Sequence, residues 1–209
     1  GMDGSVTTNI RIHDNTITDW TNWQFPGGNY PPDLYHTDGI IAFTTPGSGL
    51  FAPRIYNNYI YGDLGRGSPT ALIYLTSSSG TKLTPMSAIV YNNVLVLSNN
   101  VGAWIVGIGT YTTNNQIYNN TCIGANDSSG TAIVNSGFNT RFQNNIVSHF
   151  LRGMATDYAM LSKSVAISDN NVWDHIGTIA SGAANAFYGT EGAYSWTSWR
   201  ALGYDAHST

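Results

Sequence analysis

Four polar residues in the first third of the chain have the side-chain types of a catalytic centre. They are His36, Asp38, Asp63 and Arg66. Two carboxyl groups can serve as the acid and the base of glycoside hydrolysis, and a nearby His or Arg would tune their pKa values. The alternative interpretation is that Asp38 and Asp63 only bond the backbone amides of turns. The residue types alone leave both interpretations open.

A second set of residues has the types that contact sugars, because aromatic side chains offer large, rigid apolar surfaces with a polar tip. The candidates are Trp23, Tyr35, Tyr56, Tyr91 and Tyr118, with Lys82 as a polar contact. Tyr56, Tyr91 and Tyr118 each precede an Asn-Asn pair, so they are expected to form one outward column. The column could bind sugar rings, or it could be a stabilising aromatic ladder without a ligand.

Metal and cofactor sites lack a supporting motif. The five His residues are far apart in the sequence, and none has a recognised ligand spacing. We therefore predict no metal site and no cofactor, although scattered Asp side chains and carbonyl groups are the ligands that calcium would use. Cys122 is the single cysteine, and we expect it to be buried as a small apolar side chain.

Charge limits the partners that the chain can bind. Only 10% of the residues are charged, the formal net charge is −4, and the eight cations are scattered along the sequence. These features argue against nucleic acid, and they favour a neutral or weakly charged glycan over a strongly anionic one. No apolar run reaches the length of a membrane span.

The elements that position these residues are indicated by a repeat. Six segments share an apolar residue, any residue, Asn or Asp, Asn, any residue and a further apolar residue. They begin at Ile12, Ile55, Val90, Ile117, Phe142 and Ile167. The second Asn falls at 15, 58, 93, 120, 145 and 170, so the intervals are 43, 35, 27, 25 and 25 residues.

This spacing predicts an all-β chain folded as a right-handed parallel β-helix, a solenoid of about six coils. Asn tolerates a left-handed turn, and stacked amides can bond to one another. Short apolar runs between the Asn pairs have the length of strands. A single domain would span 1–209, with coils over about 9–175 and a C-terminal cap over about 176–209. An antiparallel sandwich, the competing fold, would not explain the equal intervals.

The cap is expected to contain a short helix over residues 195–203. Ser195 or Thr197 would be its N-cap, and Gly203 would end it. Trp196, Trp199 and Leu202 would share the face that covers the last coil.

The Asn pairs and the 25-residue spacing resemble the pectate-lyase-like β-helix superfamily across about residues 9–175. The segment from Trp199 to Ser208 is similar to the closing segment of secreted bacterial β-helix proteins. The resemblance implies extracellular work on polysaccharides, and His36-Thr37-Asp38-Gly39 resembles the Asn-Thr-Asp motif of polygalacturonases. The chain has no Asp-Asp pair and no Gly-His-Gly, so the resemblance implies a fold and a substrate class without a specific reaction.

The early insertions indicate where a site would lie, because functional groups concentrate on loops held by a rigid scaffold. We therefore place it on the first three coils. We expect a secreted carbohydrate-active protein that cleaves a polysaccharide as a hydrolase or lyase. Its secretion leader is expected to be absent from this sequence. A glycan-binding module without catalysis, or a structural or adhesive segment, is the alternative. The sequence does not indicate an oligomeric state.

Overall fold

A computed structural model describes residues 6–18, 36–45, 48–64, 68–77, 84–99, 103–126, 129–156, 161–177 and 186–209. Most of these residues lie in β-strands, and the strands form three large sheets and one two-stranded sheet. Sheet A has nine described strands: β1 (Val6–Thr8), β4 (His36–Thr45), β5 (Ser48–Phe51), β8 (Ser68–Ser77), β12 (Trp104–Ile108), β16 (Thr131–Asn135), β19 (Arg152–Ala155), β22 (Phe187–Gly189) and β23 (Gly192–Tyr194).

Sheets B and C have six described strands each. Sheet B contains β2 (Arg11–His13), β6 (Arg54–Tyr56), β10 (Ile89–Tyr91), β14 (Gln116–Tyr118), β17 (Thr140–Gln143) and β20 (Val165–Asp169). Sheet C contains β3 (Thr16–Ile17), β7 (Tyr59–Gly62), β11 (Val94–Leu97), β15 (Thr121–Ile123), β18 (Ile146–Phe150) and β21 (Val172–Ile176). The small sheet pairs β9 (Thr84–Pro85) with β13 (Thr112–Thr113), and the helices are α1 (Leu161–Ser164) and α2 (Trp196–Ala201).

The chain visits the sheets in a recurring order, from sheet B to sheet C and then to sheet A. Neighbouring strands within sheets B and C pair in parallel throughout the described residues. Among the described strands of sheet A, the antiparallel pairs are β4 with β5 and β22 with β23. The described strands are thus mostly parallel and stacked in sheets. This confirms the predicted all-β class, and it is compatible with a β-helix solenoid.

The turn between sheets B and C repeats the same backbone conformation. Its first residue is left-handed in each case, with φ of 54–58° at Asp14, Asn57, Asn92, Asn119, Asn144 and Asn170. Asn and Asp adopt this conformation at lower cost than other non-glycine residues. The left-handed backbone of this turn therefore explains why Asn or Asp recurs at its first position.

The second residue of each turn forms a ladder of side-chain amides. Each Nδ2 lies 2.9–3.1 Å from the Oδ1 of the next member in the order Asn15, Asn58, Asn93, Asn120, Asn145, Asn171. The same Oδ1 atoms also accept from the backbone N–H of the preceding member. The predicted alignment of Asn58, Asn93, Asn120 and Asn145 is thus confirmed.

The last repeat is shifted by one residue from the sequence prediction. Asn171 joins the ladder, whereas the sequence pattern had assigned Asn170. The cause is an irregularity in the register of β17 and β20 between Thr140 and Arg141, after which Phe142 pairs with Ser168. A one-residue shift exchanges the two faces of a strand. In the last repeat the buried position opposite Phe142 is therefore Ser168, whereas Ile167, which begins the sixth segment of the sequence pattern, is partly exposed.

The hydrophobic core lies between the three sheets. Sheet B contributes Ile55, Val90, Ile117 and Phe142, each at most 1% exposed and aligned with the next across the strands. Sheets A and C supply equivalent inward rows, including Ile73, Val106 and Ile133 from sheet A and Ile60, Leu95 and Val147 from sheet C. Each apolar side chain in these rows is therefore covered by the equivalent side chains of the neighbouring strands.

The C-terminal helix closes one end of this core. Ser195 is the N-cap, as predicted, and it accepts a hydrogen bond from Ser198 N at 3.2 Å. Trp199 is fully buried and stacks on Phe187, with ring centroids 4.4 Å apart. The prediction that Leu202 shares this face is wrong: it follows the last helical residue and is 52% exposed.

A buried carboxylate joins the helix to the Asn ladder. Asp205 is fully buried and accepts hydrogen bonds from Asn171 Nδ2 at 2.8 Å, Ser168 Oγ at 2.6 Å and Trp199 Nε1 at 2.7 Å. Ser208 Oγ accepts from Asn171 N at 2.7 Å. The cap thus supplies the acceptors that the next coil would otherwise provide.

Replacing Asn120 with Ala is expected to destabilise the fold by about 3 kcal/mol, because each buried polar group left without a partner costs about 1–3 kcal/mol. Asn120 Nδ2 lies 3.0 Å from both Val90 O and Tyr118 O, and its Oδ1 accepts from Asn93 N. Urea unfolding would measure the change. The control is Asn119→Gly, which keeps the left-handed turn at an exposed position and should change stability by less than ~1 kcal/mol. Equal effects of the two substitutions would contradict the ladder's role.

Candidate functional site

The first candidate carboxylate, Asp38, lies near the start of β4, the first of the two long strands of sheet A. β4 and β8 pair in parallel, but their register shifts between Thr37 and Asp38, so Asp38 aligns with Ala71. Asp38 Oδ1 accepts a hydrogen bond from Ala71 N at 3.1 Å. The carboxylate is partly exposed. The structural interpretation predicted hydrogen bonds from the backbone amides of turns, and this one comes from the backbone amide of a strand residue instead. It also holds the carboxylate in a defined orientation.

The second candidate carboxylate, Asp63, lies on the segment that leads from sheet C to sheet A. It follows the last residue of β7 and precedes Leu64, which is fully buried and left-handed with φ of 57°. Leu64 therefore anchors the turn to the core while Asp63 is partly exposed. Asp38 thus lies near the start of β4, and Asp63 lies on the segment that leads to the neighbouring strand β8 of the same sheet.

Several predicted site residues fall outside the part of the chain that the structure describes. These are Trp23, Tyr35, Arg66 and Lys82, together with the side chain of His36. The backbone of His36 is in β4, opposite Ser68 of β8. Their predicted roles in catalysis and binding remain predictions.

The predicted tyrosine column is present, and His13, which precedes the first Asp-Asn pair of the repeat, stacks at its end. His13, Tyr56, Tyr91 and Tyr118 stack in that order, with centroids 4.7, 4.8 and 5.2 Å apart and planes within 12° of parallel. Burial raises the pKa of Tyr118, and Tyr91 raises it further, while Arg54 acts in the opposite direction. The rings cover one another's faces, so the column presents ring edges to solvent. This geometry is that of a stabilising ladder, and it removes most of the flat surface on which a sugar ring could pack.

A pair of partly exposed aromatic rings on sheet A was not singled out from the sequence. Tyr74 and Trp104 meet edge to face, with centroids 6.4 Å apart. Both rings lie against Gly107, where an added Cβ would stand only 2.8 Å from Tyr74 Cδ2 and 2.9 Å from Trp104 Cε3. The signal available in the sequence was one large aromatic within each of two apolar runs, which is also typical of a core. Trp104 aligns across β8 with Asp38, since both pair with Ala71.

A polar cluster on sheet C combines Ser148, Asp174, His149 and His175, and the two imidazole rings have centroids 4.8 Å apart. Ser148 Oγ donates to Asp174 Oδ2 at 3.0 Å, and His175 Nδ1 lies 2.8 Å from Asp174 Oδ1. These contacts lower the pKa of Asp174, with His175 the larger cause. The serine contacts the carboxylate, whereas a Ser-His-Asp nucleophile needs a His at the hydroxyl. This geometry is therefore not that of an activated nucleophile.

Cys122 and possible metal ligands are the remaining reactive groups of the described residues. Cys122 is buried in sheet C, and burial raises the pKa of its thiol to about 12. The prediction of a buried apolar role is confirmed, because a thiol with that pKa is not a nucleophile near neutral pH. No cluster of three or more His, Cys, Asp or Glu side chains that could hold a metal ion occurs among the residues described.

Comparisons of the chain with known protein families, curated proteins and solved structures find no match. Within the described ranges, no helix is both long and apolar enough to cross a membrane. The resemblance to the pectate-lyase-like superfamily therefore rests on the Asn repeat and on the stacked parallel sheets.

Proposed function

We propose that the chain is a right-handed parallel β-helix of the pectate-lyase-like type, with about six coils. Three stacked parallel sheets and a ladder of Asn amides at one corner support this proposal. In this proposal the protein is secreted, and it acts on a polysaccharide outside the cell.

Cleavage of the polysaccharide is assigned to the start of β4 and β8. The observation that carries the assignment is the hydrogen bond from Ala71 N to the partly exposed Asp38 carboxylate at the register shift. Irregularities of this kind re-aim side chains and are frequent next to active sites. Asp63 enters the same region and would provide the second carboxyl group. One group protonates the leaving oxygen of the glycosidic bond, and the other activates water or attacks the sugar.

Glycan binding without catalysis is the second candidate, and the Tyr74–Trp104 pair favours it. Both rings are partly exposed, and they lie on β8, which pairs with the strand of Asp38, and on the next strand, β12. Aromatic surfaces of this kind can contact the apolar face of a sugar. The same pair would orient a glycan for cleavage if the carboxylates are catalytic.

An assay of products over a panel of polysaccharides tests the proposal. New reducing ends without the ultraviolet absorbance of an unsaturated uronate are expected, because paired carboxyl groups suit hydrolysis. Unsaturated products would instead identify a lyase. If neither product forms while a polysaccharide retards the protein in affinity electrophoresis, the binding module is the better account.

A further inference from the structure

Two His residues lie opposite each other on neighbouring strands of sheet C. Ser148 pairs with Asp174 and Phe150 pairs with Ile176, so the register places His149 opposite His175. The centroids of the two imidazole rings are 4.8 Å apart, and the ring planes are tilted by 45°. His175 is exposed and His149 is partly exposed. The two residues are one coil apart in the sequence, so no local ligand spacing reveals them as a pair.

Both His residues have a left-handed backbone, with φ of 64° at His149 and 49° at His175. Few non-glycine residues adopt this conformation, although His does so more often than most. Such conformations cluster at ligand-binding sites, where the surrounding structure maintains them. Because paired residues share the conformation, the two side chains leave their strands in a similar way and their rings meet.

A carboxylate fixes the orientation of the His175 ring. His175 Nδ1 lies 2.8 Å from Asp174 Oδ1, and Ser148 Oγ donates to Asp174 Oδ2 at 3.0 Å. An ionised carboxylate only accepts hydrogen bonds, so Nδ1 carries a proton, and in the neutral ring the lone pair is then on Nε2. Metal-binding His residues are commonly oriented by a carboxylate in this way, with the other ring nitrogen on the ion.

The separation of the rings fits two ligands of one metal ion. Zn²⁺ lies ~2.0–2.1 Å from an imidazole nitrogen, so one nitrogen from each ring in tetrahedral or square geometry holds the centroids roughly 4.5–5.2 Å apart. The observed 4.8 Å lies within this range. The equivalent position on the preceding coil is Gly124, whose N–H donates to Ser148 O and which adds no side chain beside His149.

We propose that His149 and His175 bind one divalent transition metal ion of the zinc and copper class. Imidazole nitrogens favour these ions over calcium, which prefers oxygen ligands. Three or more His, Cys, Asp or Glu side chains that could hold a metal do not converge among the described residues. The pair therefore provides two ligands, water completes the coordination, and Asp174 orients the ring of His175. This proposal goes beyond the proposed function, since the pair lies on a different sheet from Asp38 and requires no cleavage.

Titration calorimetry of the whole chain with zinc chloride tests the proposal. One Zn²⁺ per chain is expected to bind, and His149→Asn and His175→Asn should each weaken binding at least tenfold. Asn tolerates the left-handed backbone of both positions, so the melting temperature without zinc should stay within a few degrees of the parent protein. No uptake of zinc, unchanged affinity in either variant, or displacement of zinc by an equal concentration of calcium would overturn the proposal.

His13→Asn is the matched control. His13 Nδ1 contacts Asp14 Oδ2 at 2.7 Å, as His175 contacts Asp174, but the ring of His13 stacks on Tyr56 instead of a second imidazole. Zinc affinity should therefore be unchanged in this variant. If His13→Asn weakens binding as much as the two pair variants do, zinc binds to scattered surface imidazoles and the assignment fails. Zinc binding and product formation are separate measurements, so failure of the cleavage proposal would not alter this result.

Electron paramagnetic resonance with copper(II) chloride counts the ligands directly. Nitrogen couplings from two imidazoles are expected in the parent protein, and from one imidazole in His149→Asn or His175→Asn. Coupling from a single imidazole in the parent protein would show that the two rings do not share an ion, which contradicts the proposal.

Discussion

Replacing Ile117 with Asp is expected to leave the protein unfolded or aggregated at room temperature. Ile117 is 1% exposed and pairs with Val90 on one side and Phe142 on the other, so every neighbour that it meets in the sheet B row is apolar. Burying an unpaired carboxylate costs several kcal/mol even when the group becomes protonated. A domain of this size is stable by about 5–15 kcal/mol, so a change of this kind removes most of the margin.

Circular dichroism and soluble yield would measure this outcome. Gln116→Asp is the matched control, since it introduces the same carboxylate at the adjacent exposed position of β14. The control should fold and melt close to the parent protein. A soluble Ile117→Asp protein with an unchanged melting temperature would contradict the inward assignment of the sheet B row.

The Asn repeat was readable from sequence because one local requirement recurs in each coil. The left-handed residue is Asn or Asp because these adopt that conformation at lower cost than other non-glycine residues, and the next residue must both donate and accept within the ladder. The last repeat could not be read correctly. Asn170 and Asn171 have the same side chain, and the choice between them depends on the register shift between β17 and β20. That shift arises from tertiary pairing and leaves no local signal.

The cap was predictable as a helix but not as the end of the ladder. Ser195 and Gly203 mark the helix boundaries locally, and both are used. Asp205 resembles any turn Asp in the sequence. Its burial is tolerated because Ser168, Asn171 and Trp199 donate to it from distant positions.

The candidate sites were only partly predictable for a related reason. The tyrosine spacing correctly predicted a column, but its stacked geometry depends on aligned strands. The cations looked scattered in sequence, since Arg11, Arg54 and Arg141 are 43 and 87 residues apart. Parallel stacking places them on one face. The residue types thus predicted which functional groups the chain carries. The register of the strands decides which of those groups lie close together.

The substitution Asp38→Asn is expected to reduce kcat for polysaccharide cleavage by about 10²–10⁴-fold, the usual contribution of a general acid or base. Asn keeps the size of the side chain and an oxygen that can accept from Ala71 N, so the melting temperature should stay within a few degrees. Asp63→Asn should give a loss of similar size, because hydrolysis needs both carboxyl groups. Activity and melting must be measured on the same preparations.

The two functional interpretations differ in how Asp38→Asn and the aromatic variants behave. A hydrolase loses turnover with Asp38→Asn while its affinity for glycan is kept, because the amide preserves the shape of the site. A binding module also keeps affinity after Asp38→Asn, and it loses affinity when Trp104 on sheet A becomes Ala. If Asp38→Asn instead lowers the melting temperature strongly, the bond to Ala71 N is structural and the catalytic assignment fails. Unchanged kcat with unchanged melting would equally remove Asp38 from the reaction, and cleavage would then have to be assigned to other residues.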